Sequence, residues 1–101
     1  MKNEIEEKRK MLLKRPKEED TNILMENLVE LGDFPALMEL WSWDGITAST
    51  VIILKEDVKE LKKDEIIDLV FLKIKQKQDP QTTYKEKGEY IFVNYGFKLD
   101  D

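Results

Sequence analysis

The run Trp41-Ser42-Trp43-Asp44-Gly45-Ile46, followed by the β-branched stretch Thr47 to Leu54, constrains the fold of this chain more than any other feature. Asp-Gly supplies the two positive-φ residues that a tight hairpin turn requires. A stretch of Thr, Val and Ile with no helix-forming run favours a pleated surface. The pattern predicts antiparallel strands near 37–43 and 46–55, with Trp43 opposite Ile46, Trp41 opposite Ala48 and Glu39 opposite Thr50. Where the first strand begins is open, because Pro35-Ala36-Leu37-Met38-Glu39-Leu40 also has helical propensity and proline suits a first helical turn.

Around this hairpin the spacing predicts helices. Residues 2–15 carry Glu4–Lys8 and Glu6–Lys10, glutamate-before-lysine pairs four apart that support a helix surface. Apolar residues there are confined to Ile5 and to Met11-Leu12-Leu13, so 1–16 reads as a charged, peripheral helix, exposed or kept for a partner, that Pro16 ends. Leu24, Leu28 and Leu31, with Met25 and Val29, form a stripe at helical spacing and predict a buried second helix over 21–31. Asp20 or Thr21 would cap it and Gly32 would close it. A third helix over 65–78 has Asp64 as its cap, Glu65 and Asp68 in its first turn, and Lys73, Lys75 and Lys77 near its end, as the helix dipole favours. Ile66, Ile67, Val70, Phe71 and Ile74 give it a wide apolar face. Pro80 marks its exit, 81–88 reads as a polar loop, and Tyr90-Ile91-Phe92-Val93-Asn94-Tyr95 as the clearest strand. The expected architecture is α+β in the order ααββαβ: two N-terminal helices, then a three-stranded, mainly antiparallel sheet with a helix between its last two strands and the helices on one face. A chain of 101 residues has room for one core, hence a single domain over 1–101.

The side-chain inventory argues against catalysis. There is no cysteine and no histidine, which removes disulfides, Cys/His zinc sites and the Cys–His and Ser–His nucleophile pairs. Gly32, Gly45, Gly88 and Gly96 stand alone, so no phosphate-cradling loop is present. The acidic pairs Glu56-Asp57 and Asp64-Glu65 are sequence neighbours, which do not face each other on a helix or strand. No enzymatic activity, cofactor or metal is therefore expected. No secretion signal is visible, and the longest apolar run, Leu69-Val70-Phe71-Leu72, is far too short to span a membrane. The expectation is a cytoplasmic protein.

Charge is segregated along the chain. Residues 21–54 hold no lysine or arginine and five acids (Glu26, Glu30, Asp33, Glu39 and Asp44), matching the whole formal net charge of -5, since the flanking segments cancel. Both tryptophans lie in the same stretch. Glu30, Asp33, Glu39, Trp41, Trp43 and Asp44 are the candidate partner-binding residues, an aromatic–acidic patch suited to a protein with a basic surface. The net acidity disfavours direct binding to a nucleic-acid backbone.

Two partial resemblances carry little. Lys87-Gly88 followed by Phe92-Val93-Asn94-Tyr95 resembles the RNP1 segment of RNA-recognition domains, but the spacing is one residue too long and the element order differs. Leu31-Gly32-Asp33-Phe34 leading into Ala36-Leu37 resembles the turn of a tetratricopeptide pair, with no second copy. The leading expectation is a small acidic protein-binding module, similar by class to the inhibitors of host defence proteins that phages encode, anti-CRISPR proteins among them, and then located in the host cytoplasm. The alternative is a structural or regulatory subunit that forms a homo-oligomer, or docks on another subunit, through its N-terminal helix.

Overall fold

The computed structural model describes residues 2–17, 22–43, 46–74 and 82–97. Helix α1 (Lys2–Leu13) is followed by strands β1 (Asn22–Leu31), β2 (Phe34–Trp43) and β3 (Ile46–Leu54), a single 3-10 turn η1 (Lys55–Val58), helix α2 (Lys63–Ile74), and strands β4 (Thr83–Lys87) and β5 (Tyr90–Phe97). The five strands form one sheet in the order β1-β2-β3-β5-β4, with every neighbouring pair antiparallel. The β2–β3 register is the expected one: Trp43 opposite Ile46, Trp41 opposite Ala48, Glu39 opposite Thr50. The Asp44-Gly45 turn between them lies outside the described residues.

The rest of the expected architecture is corrected. The sheet has five strands rather than three, and the order is αβββαββ rather than ααββαβ. Residues 22–31 are not a helix but strand β1, paired along its length with β2. Leu24, Met25 and Leu28, read as core, are 54%, 50% and 40% exposed, while Leu31 is buried. The leucine spacing was compatible with both periods, because Met25, Val29 and Leu31 also share one face of a strand. Gly32, read as a helix stop, has φ 65° and opens the two-residue Gly32-Asp33 turn that joins Leu31 to Phe34. A positive φ is demanded by either reading, so the glycine alone could not separate them. The same chemistry was overlooked at Gly88 (φ 60°), where Gly88-Glu89 joins Lys87 to Tyr90 and makes most of the expected loop 81–88 into strand β4. The ambiguous 35–42 segment is strand throughout.

The sheet is covered on both faces rather than one. Strand parity divides β3 cleanly: Val51 and Ile53 pack with Ile91, Val93 and Ala36 beneath α2, whose Ile66, Ile67, Val70 and Phe71 complete that cluster. Ile52 and Leu54 point the other way, to Leu37 and to Leu12 of α1. A strand buried on both faces reads as a continuous apolar run, as Val51-Ile52-Ile53-Leu54 does. Helix α1 is a docked layer: Leu12 is fully buried, and the Tyr90 hydroxyl donates to the Met11 carbonyl at 2.7 Å. At the start of α2, the Glu65 carboxylate accepts the Lys62 backbone N–H at 3.0 Å, the return bond of a capping box, so the cap centres on Lys62 rather than Asp64. Residues 75–78 of the expected third helix lie outside the described residues. No helix among the described residues is long and apolar enough to cross a membrane.

Candidate functional site

Two concave surfaces lie at different places on this scaffold. The first is on the α1 face of the sheet. Register places Glu26, Glu39, Thr50, Asn94 and Thr83 in one row across β1, β2, β3, β5 and β4. At the β1–β2 end of the row, Arg15 enters from the segment after α1. Its Nε donates to Glu39 Oε2 at 3.0 Å, its Nη2 also to Glu39 Oε2 and to Glu26 Oε1 at 2.6 Å, and its Nη1 to the Leu13 carbonyl at 3.1 Å. The guanidinium is almost wholly buried and Glu39 nearly so. Burial pulls the Arg15 pKa down, but the hydrogen bonds and charges of Glu26 and Glu39 outweigh it and hold the pKa above its ordinary value.

From Trp41 a hydrogen-bond chain runs across the remaining strands. The Trp41 indole N–H donates to Thr50 Oγ1 at 2.8 Å, the Thr50 hydroxyl donates to Asn94 Oδ1, and Asn94 Nδ2 donates to Thr83 Oγ1 at 3.2 Å. Above this chain α1 has ended, leaving a cleft of about 180 Å³ whose floor includes the half-buried Trp41 and Phe92 and whose rim carries Lys17, Lys85 and Lys87.

The Arg15 cluster makes a pH prediction. The Glu26 carboxyl is held below its ordinary value by the Arg15 hydrogen bond, against an opposing push from burial, with the charges of Arg15 and Lys17 assisting. A carboxyl whose folded pKa lies below its unfolded one contributes stability above the unfolded value, about 4.3 for glutamate. That contribution disappears as pH falls through the folded pKa. The urea midpoint is therefore expected to decline below about pH 4.3, and Glu26→Gln to show a shallower decline than the parent chain. An identical decline in both proteins would remove Glu26 from the account.

The second surface is at the opposite end of the β1–β2 hairpin, between the Gly32-Asp33 turn, η1 and α2. Asp33, Glu56, Asp57 and Glu60 line a cleft of about 510 Å³ over the apolar Leu31, Leu61 and Leu69. Asp57 Oδ1 takes the Lys8 ammonium at 2.6 Å; this bond chiefly raises the Lys8 pKa, with burial opposing. The other oxygen, Asp57 Oδ2, is buried with no hydrogen-bond partner among the described residues. The Lys59 ammonium lies 3.0 Å from Glu56. These acids do not converge as ligands of one ion: among the described residues no group of three or more is placed to hold a metal.

The residues singled out from the sequence therefore divide. Asp33 lines the acidic cleft, and Glu30, with 73% of its side chain exposed and Arg9 at 4.0 Å, lies two residues before that turn. Glu39 and Trp41 belong to the other cleft, where Glu39 is neutralised by Arg15. Trp43 pairs with Ile46 through the backbone, and Asp44 lies outside the described residues. The four whose side chains are described, Glu30, Asp33, Glu39 and Trp41, do not form one patch. Sequence reasoning missed Glu56, Asp57 and Glu60 as companions of Asp33. The available signal was an acid-rich turn directly after the most apolar strand, although what it faces depends on the fold.

Comparison with protein-family models, with curated proteins and with solved structures finds no match to this chain.

Proposed function

We propose that this chain is a non-catalytic protein-binding module that holds a basic segment of its partner at the acidic end of the β1–β2 hairpin. The observation that carries the reading is the gathering of Asp33, Glu56, Asp57 and Glu60 about one cleft, beside which one Asp57 oxygen is buried with no donor among the described residues. Buried carboxylate oxygens are ordinarily matched by donors. Among the described residues, four carboxylates line the cleft and two of them, Asp57 and Glu56, pair with the ammonium groups of Lys8 and Lys59, which leaves room for further positive charge. Its floor of Leu31, Leu61 and Leu69 suits the methylene stem of a lysine or arginine, whose charged head would sit among the acids. A basic face on a nucleic-acid-handling host protein would fit this description, which keeps the inhibitor reading within the proposal. Docking through α1 is less favoured, because that helix already has its buried residue, Leu12, against the sheet.

The test is affinity capture from bacterial lysate with the parent chain and with an Asp33→Asn/Glu60→Gln variant. Both replaced side chains are exposed, so thermal stability is expected to change little. A captured protein is expected to elute in about 1 M salt, where the screening length is about 3 Å, and to be lost with the variant. Capture that persists equally in the variant and in high salt would refute the acidic-cleft reading.

A further inference from the structure

We infer that the cleft over Trp41 is a binding site for a small flat organic anion, an aromatic carboxylate, separate from the acidic protein-binding surface. Three features of the cleft specify this chemistry. Its apolar floor is aromatic: the Trp41 N–H is engaged by Thr50, which fixes the indole ring and leaves its face to apolar or stacking contact. Its rim is cationic: Lys85 and Lys87 lie two apart on β4, opposite Phe92 and Tyr90, so both point to the α1 face. Among the described residues neither lysine has a carboxylate within ion-pair distance, whereas Glu86 between them is taken by Lys55 at 3.5 Å on the other face. Among the described residues the acid lining the cleft is Glu39, which does not oppose an anion because the buried Arg15 neutralises it.

The third feature is directional. In the chain Trp41 to Thr50 to Asn94 to Thr83, each group donates to the next, so Trp41, Thr50 and Asn94, which line the cleft, each have a donor engaged. Donors left for a ligand there include the Lys85 and Lys87 ammonium groups of β4. A carboxylate accepts from such a set. Size then favours a small ligand: the cleft measures about 180 Å³, below the roughly 300 Å³ at which drug-sized pockets begin. One ring system with one acidic substituent suits it.

The probes are indole-3-acetate, its neutral amide, acetate and inorganic phosphate, titrated into the isotope-labelled full chain and followed by amide and indole N–H resonances. Indole-3-acetate is expected to bind in the sub-millimolar range and to move Trp41, Thr50, Asn94 and Lys85. The neutral amide is expected to bind about tenfold more weakly, the scale of one to two exposed charge pairs. Acetate and phosphate are expected to bind more weakly still. Lys85→Gln/Lys87→Gln, at exposed positions, should abolish the preference for the acid over the amide without moving Tm. Equal binding of acid and amide would overturn the inference. So would phosphate binding as tightly as the aromatic acid, shifts confined to the acidic cleft, or no binding at millimolar concentration.

Discussion

Replacing Arg15 by alanine is expected to destabilise this fold by about 3–5 kcal/mol, the cost of removing one partner from a buried ion pair. The guanidinium is 1% exposed and the Glu39 side chain 10%, and both Arg15 Nε and Nη2 are directed to Glu39 Oε2. Without Arg15 the Glu39 carboxylate remains within the sheet row between Glu26 and Thr50, and it has no other ion-pair partner among the described residues. Glu26 loses a 2.6 Å partner but stays partly exposed, with Lys17 at 3.7 Å, and adds little to the loss. At roughly 4–8 °C per kcal/mol for a domain of this size, Tm is expected to fall by on the order of 20 °C. Pairing Arg15→Met with Glu39→Leu should recover most of the loss, since an apolar pair of similar volume replaces a buried ion pair at little net cost. Urea midpoints of the two single variants and the double variant form the cycle that measures this. A single-variant loss below about 1 kcal/mol would mean that water reaches Glu39 freely, as at an ordinary surface pair.

A chain that starts at Lys17 is expected to lose its cooperative fold. Removing α1 takes away Leu12, fully buried against Leu37, Ile52 and Leu54, and uncovers half-buried Tyr90 and Phe92. Truncating one buried leucine to alanine already costs about 2–5 kcal/mol. The loss of Arg15 adds a comparable amount, and a domain of this size has only about 5–15 kcal/mol in total. Thermal unfolding followed by near-ultraviolet circular dichroism is expected to lose its sigmoidal transition, and amide resonances to collapse toward random-coil positions. Should the truncated chain melt cooperatively within a few degrees of the full chain, α1 would be an arm, and docking on a partner through it would again be the stronger reading.

These two experiments concern the residues that the sequence described least well. Within residues 2–15 there is little to suggest burial: only Leu12 and, beyond the helix end, Arg15 are buried, and the other ties to the sheet side, through Lys8 and Met11, are polar or partial contacts. Periodicity weighs the number of apolar residues on a face, so a helix that inserts one side chain into a covered sheet resembles a solvated one. Strand β1 was hidden for the opposite reason. It has apolar residues in plenty, at spacings that fit a helix, yet it occupies a sheet edge where Leu24, Met25 and Leu28 stay exposed. The acidic cleft was legible only in part. Asp33 could be marked from its cation-free neighbourhood, but Glu56, Asp57 and Glu60 follow β3 in the chain and meet Asp33 only because the β1–β2 turn ends beside η1.

By itself the sequence determined the β2–β3 hairpin with its register, the last strand, most of α2 and the absence of cysteine and histidine chemistry. Each of these follows from interactions within a few residues: a turn dipeptide, β-branched neighbours, an apolar face repeating at 3.6, or simple composition. Tertiary structure alone decided that residues 22–31 pair with β2 instead of coiling, that both sheet faces are covered, that Arg15 neutralises Glu39, and that one Asp57 oxygen has no donor among the described residues. Those outcomes depend on partners 24 residues apart in the case of Arg15 and Glu39, and 49 apart for Lys8 and Asp57. Local propensity is degenerate at such positions, and the backbone hydrogen bonds and buried charges are matched only once the whole sheet is assembled.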